Sequence, residues 1–262
     1  MPERLETLRH TGWKGGYIAP HRAFARFRVN TKDIVAAGLL AIALTWAWIL
    51  VLPSVTGLWA QLFRFWAGKL SLEGEVLMAP QHWGPRIHFF LPFVNRAAGP
   101  VSPETWWITV IATIGLLAAT FVLSDEHMPW IYLLRFLVIL QASSIVYFTF
   151  FAARFPHDLP SYTLGMLFFG TILIGLMPFI FALTYYFFDF SLTKKLTLTL
   201  LSMVYLSLFV PLQYIFHVYL LQKTILLMPV LYFAFGPFLD VLVFVSLYGW
   251  GMSWKLKNRL TY

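Results

Sequence analysis

Few residues in this sequence are equipped to do chemistry. Cysteine is absent, which removes thiolate nucleophiles, thiolate metal sites and disulfides. Two ionisable residues, Arg135 and Asp240, interrupt long stretches that carry no other charge. An ion in hydrocarbon is costly, so each is a functional candidate by default. Together they are expected to form an ion pair that locks two helices, each charge offsetting the other's desolvation. A proton or ion relay is the alternative, and one acid with one base makes a short relay.

A second, looser set consists of His82, His88, Glu104, Arg154, His157, Asp158 and His217. Histidine beside a carboxylate binds metals or exchanges protons. The spacing here is undiagnostic. His82 and His88 flank Gly84-Pro85 and fit neither the i, i+4 face of a helical zinc site nor an i, i+2 strand pair. No metal and no cofactor is therefore expected. His82, His88, His157 and Asp158 remain the catalytic candidates if the chain is an enzyme. The nucleophile elbow Gly-x-Ser-x-Gly, the zinc motif His-Glu-x-x-His and a glycine-rich phosphate loop are all missing, which argues against hydrolysis of nucleotides by this chain alone.

The elements that must position these residues follow from composition. Hydrophobic residues make up 60% of the 262, aromatics 19% and charged residues 11%, with a mean hydropathy of +0.74. A soluble domain carries about 25% charged residues, so this chain cannot cover a water-facing surface. A membrane-spanning helix needs about 20 apolar residues. Charge-free stretches of that order run over residues 34–63, 105–124, 136–153 (extended back through Arg135 to about Pro129), 159–188, 196–222 and 224–254, the last broken only by Asp240. The reading is an all-α polytopic membrane protein with six transmembrane helices.

Basic residues set the expected orientation. Arg4, Arg9, Lys14, Arg22, Arg26, Arg28 and Lys32 precede the first span, while Lys255, Lys257 and Arg259 follow the last. Both termini are thus expected in the cytoplasm. The expected divisions are a basic segment over 1–32, a first span over 33–53 ended by Pro53, an outer-side loop over 54–104, a five-helix bundle over 105–252 and a basic tail over 253–262. Arg22, Phe24, Arg26, Phe27 and Arg28 read as a membrane-interface anchor, as do Trp59 and Trp66 on a short interfacial helix within 57–69. Partial alternation over 70–78 and 86–93, joined by turn formers, predicts a small β-hairpin in the same loop.

The net charge of +8 is concentrated at the two ends. It matches lipid headgroups, and no nucleic-acid partner is expected. The expected partners are membrane lipids and other membrane-protein subunits, in a bacterial inner membrane. The expected function is that of a non-enzymatic integral subunit that anchors, gates or completes a larger envelope complex of the secretion, export or polysaccharide-assembly type. The alternatives are a channel or carrier with Pro178 and Pro211 breaking its helices, and an enzyme acting on a lipid-linked substrate at the outer interface.

Overall fold

The computed structural model describes residues 31–185 and 192–253. Their helices are α1 (Thr31–Lys69), α2 (Pro103–Val122), α3 (Met128–Phe151), α4 (Leu159–Tyr185), α5 (Leu192–Lys223), the short α6 (Met228–Phe233) and α7 (Pro237–Ser253). Two strands, β1 (Glu75–Trp83) and β2 (Ile87–Asn95), form an antiparallel hairpin. Among the described residues six segments are long and apolar enough to cross a membrane: α1 to α5, and the stretch Ile225–Gly251 that contains α6 and α7. The basic leader, including Arg22, Phe24, Arg26, Phe27 and Arg28, lies outside the described residues, as does the tail carrying Lys255, Lys257 and Arg259.

The first span does not stop at Pro53. Helix α1 continues through it to Lys69, absorbing the segment expected to form a separate interfacial helix. Pro178 and Pro211 likewise lie inside unbroken α4 and α5. Proline removes one helical donor and frees the carbonyl four residues back, and neighbouring helices can satisfy that carbonyl. Trp59 supplies an instance. Pro211 leaves the Ser207 carbonyl without a helical donor, and the Trp59 indole N–H donates to it at 2.7 Å. Trp59 is consequently 1% exposed, which corrects its expected place at the membrane interface. Trp66, at 37% exposure, does face outward.

The core forms where α1, α4, α5 and the hairpin meet. Trp48, Leu52 and Phe63 from α1 pack with Phe89 and Leu91 of β2, Leu167 and Ile174 of α4, and Leu206 and Val210 of α5. Polar ties seal it. Trp48 donates to the Thr171 carbonyl at 3.1 Å and Thr45 to the Gly175 carbonyl at 3.0 Å. The hairpin lies against α1 and α4, with Phe89 stacked on Phe168 at 6.2 Å between ring centroids. Its location in the connection after the first span agrees with the sequence, while its strands begin and end further along than expected.

The pair α2–α3 stands apart. Helix α2 starts with a capping box, Ser102 accepting from the Thr105 N–H while the Thr105 hydroxyl accepts from the Ser102 N–H, and with Pro103 in its first turn. These features give a strong start signal. The buried residues of α2 are Thr109, Thr113 and Thr120, whereas Ile108, Ile111 and Phe121 are exposed. Helix α2 packs mainly on α3, and α3 attaches to α6 and the turn before it. Gln141 and Ser144, midway along α3, both donate to the Leu226 carbonyl, at 3.1 and 2.6 Å.

Candidate functional site: a buried polar centre at a helix break

Sequence separates the sixth span at Phe235-Gly236-Pro237. Proline disfavours helical geometry in the residue before it, so α6 ends and α7 restarts at Pro237. Glycine is required here because a Cβ on Gly236 would fall 2.5 Å from the Tyr232 carbonyl oxygen. The break releases carbonyl oxygens at a helix end. One of them, on Phe235, accepts from Gln213 Nε2 at 2.6 Å. The Gly236 carbonyl accepts from the Leu239 and Asp240 N–H groups, opening α7.

Asp240 sits in that first turn and is 0% exposed. The Tyr214 hydroxyl of α5 donates to Asp240 Oδ2 at 3.0 Å. One turn along α5, His217 is 2% exposed. Its Nδ1 is 2.9 Å from the Tyr162 hydroxyl of α4, and its ring meets Tyr214 edge to face at 5.1 Å. Three spans thus contribute Tyr162, Gln213, Tyr214, His217 and Asp240 to one buried polar centre.

The expected Arg135–Asp240 lock does not form. Arg135 is exposed and lies over the Phe121 ring of α2, 5.6 Å from its centroid. Asp240 is held by Tyr214 instead. The physical reason is the helix break: the sixth span meets α3 through α6 and the turn before it, whereas α7 packs on α5 and α4. An ionised Asp240 would gain about 0.3–1 kcal/mol from the α7 amino terminus, against several kcal/mol for desolvating a carboxylate with no cation beside it.

The catalytic candidates fall into two separate pairs, and no group of three or more His, Asp or Glu residues suited to a metal occurs among the described residues. His82 and His88 are direct cross-strand partners, exposed, with ring centroids 6.3 Å apart. Any hairpin turning at residues 84–86 pairs 82 with 88, so this juxtaposition was readable from the turn formers. His157 leans on the Phe155 ring at 5.6 Å.

Asp158 caps α4. Its carboxylate accepts from the Ser161 N–H at 2.9 Å while Ser161 Oγ accepts from the Asp158 N–H at 3.3 Å. The hydrogen bonding from Ser161 holds the Asp158 carboxyl below the usual carboxylate range. A depressed folded-state value means stability that is complete above the unfolded value and lost as pH falls through the folded one. Asp158→Ala is expected to cost about 1 kcal/mol at neutral pH. Asp158→Asn, which keeps a capping oxygen, should flatten the acid limb below about pH 4. Thermal unfolding in detergent across pH checks both; an unchanged acid limb in Asp158→Asn would rule out the cap as its source.

A separate cavity of about 350 Å³ opens between α1 and α5, lined by Leu44, Trp48, Val51, Leu58, Met203 and Leu208 among others. It is apolar and holds none of the five residues of the polar centre.

No protein-family model, curated protein or solved structure matches the chain.

Proposed function

We propose that this chain is a proton-linked membrane channel or carrier with Asp240 at its working centre. The supporting observation is a fully buried carboxyl group with no salt bridge among the described residues, placed where α6 gives way to α7. Intramembrane carboxyl groups of this kind mark proton and ion pathways, and broken helices are the usual framework for such sites. Tyr162, His217 and Tyr214 add exchangeable hydrogens near Asp240, so the short acid–base relay read from the sequence gains members. In this reading the basic leader and tail face the cytoplasm.

The test is proton flux into liposomes loaded with a pH-sensitive dye and driven by a potassium potential. Wild-type protein should exceed empty liposomes, and Asp240→Asn should lower the excess at least tenfold. Wild-type flux equal to that of empty liposomes, with and without potential, would discard the reading.

A second reading is an integral subunit of a larger envelope assembly, and the α2–α3 arm favours it. That arm reaches the rest of the protein mainly through one side of α3 and leaves the apolar faces of α2 open, which suits contact with a partner helix. Extraction in a mild detergent tests it: a monodisperse monomer with no companion protein would count decisively against a stable complex.

A further inference from the structure

The β-hairpin enters the helical bundle instead of capping it. Its base sits at one end of the bundle, where the Glu73 N–H donates to the Gln222 side chain at 3.1 Å and the Glu73 carbonyl accepts from it at 2.8 Å. An exposed Glu73–Arg96 ion pair lies at the same base. From there strands of nine residues reach about 27–30 Å. At the far end the Trp83 ring packs on Gly175, where an added Cβ would lie 3.0 Å from it. Gly175 is about 24 Å along α4 from Leu159 and about 15 Å from Tyr185, at about 1.5 Å per residue. A hydrocarbon layer of about 30 Å includes that level wherever it is set along α4. Helix α1 gives the same depth. Thr45, which donates to the Gly175 carbonyl, lies about 16 Å past Ile34, where the apolar span begins.

Three side chains at that depth are polar and exposed, His82, His88 and Arg86. Arg86 belongs to the turn between the strands, and among the described residues no acidic side chain pairs with it. The Trp83 indole N–H is buried beside them without an acceptor. The two-stranded sheet leaves one edge of each strand open, and among the described residues no backbone hydrogen bond joins a helix to either strand. Arginine and open backbone groups are both costly in hydrocarbon. A partner helix could not supply the missing bonds, because its own N–H and C=O groups are spent internally. Water supplies all of them, and non-helical backbone is tolerated at membrane depth where it lines a water-filled cavity.

We propose that the hairpin is a re-entrant element lining a water-filled cleft, with Arg86, His82 and His88 as a floor that draws in small hydrophilic anions. Arginine is always positive and imidazole is never negative near neutral pH, so nothing in the floor repels an anion. The acids of the hairpin, Glu73 and Glu75, stand at its base, a strand's length away. The cleft opens at the end of the bundle where α1 and α5 finish. This goes beyond the proton-linked reading, since none of these residues belongs to the Asp240 centre.

The chain has no cysteine, so single cysteines report without background. The full chain is placed in liposomes as His82→Cys, His88→Cys, Glu75→Cys at the hairpin base, or Leu50→Cys on the exposed apolar side of α1. Each is exposed briefly to charged, membrane-impermeant methanethiosulfonates. His82→Cys and His88→Cys should react within about tenfold of the Glu75→Cys rate, and Leu50→Cys about a hundredfold more slowly, since only the hydrated thiolate reacts. At His88→Cys the anionic reagent should be favoured about tenfold over the cationic one, after correction for their rates with a free thiol. Adding Arg86→Gln should abolish that preference. Either histidine position serves if the other variant fails to fold. Hairpin cysteines as slow as Leu50→Cys would overturn the cleft, and no charge preference would overturn the anion floor. Native membranes that protect the hairpin cysteines but leave Glu75→Cys reactive would place a partner strand on this face and overturn the proposal too.

Discussion

Replacing Trp59 with alanine is expected to lower stability by about 3–5 kcal/mol, the range for truncating a fully buried large aromatic side chain. Two losses add at this position. The indole fills the seam between α1 and α5, where it is 1% exposed, and its N–H is the donor for the carbonyl that Pro211 orphans at Ser207. Trp59→Phe separates the two, because it retains most of the volume and deletes the donor. An unsatisfied buried carbonyl costs about 1–3 kcal/mol. Pro211→Ala restores a helical N–H to Ser207, so it should recover most of the Trp59→Phe loss while doing little in the wild-type background. Reversible unfolding in mixed micelles reads all four proteins of that cycle. Equal losses from Trp59→Phe with and without Pro211→Ala would show that the indole N–H is unimportant and that volume alone matters.

Gly99→Ala is the second large effect, at about 3 kcal/mol from overpacking and lost backbone hydrogen bonds. Gly99 sits in the connection between the hairpin and α2. Its N–H donates to the Leu221 carbonyl at 2.8 Å, and its carbonyl accepts from the Ile225 N–H at 3.0 Å. A Cβ at this position would lie 2.7 Å from the carbonyl carbon and oxygen of Lys223. Those are backbone atoms at the end of α5 and cannot swing aside as a side chain does. The neighbouring Ala97 is exposed, and Ala97→Ser should be neutral within about 0.5 kcal/mol. Matching thermal shifts for the two variants would refute the close approach.

Spans were legible because hydrocarbon tolerates so few charges. The stretch read as 105–124 is helix Pro103–Val122, and the charge-free run ending near Gln222 is the end of α5 at Lys223. Prolines misled in both directions. Pro53 reads as a stop by the rules for helices in water, which treat the freed carbonyl as a loss, yet α1 passes through it, and a packed neighbour can reclaim such a carbonyl. Gly236-Pro237 is a strong breaker dipeptide, but the apolar run around it masks the interruption. The polar centre was half visible. Asp240 and His217 stood out as polar residues in apolar stretches, but their partners Gln213, Tyr214 and Tyr162 look like ordinary interfacial residues until three helices converge. Pairing Arg135 with Asp240 assumed that two lone charges must meet, and a cation–π contact with Phe121 accommodates Arg135 instead.

The tie between Trp59 and Ser207 spans 148 residues of sequence, and that between Trp48 and Thr171 spans 123. Synthesis proceeds from the amino terminus, so the first helix is delivered to the bilayer long before either acceptor has left the ribosome. Its indole donors must wait in the nascent chain, satisfied by lipid carbonyls, water or an insertion factor. A truncation upstream of residue 171 would leave both indoles without these acceptors, and one between residues 171 and 207 would strand Trp59 alone.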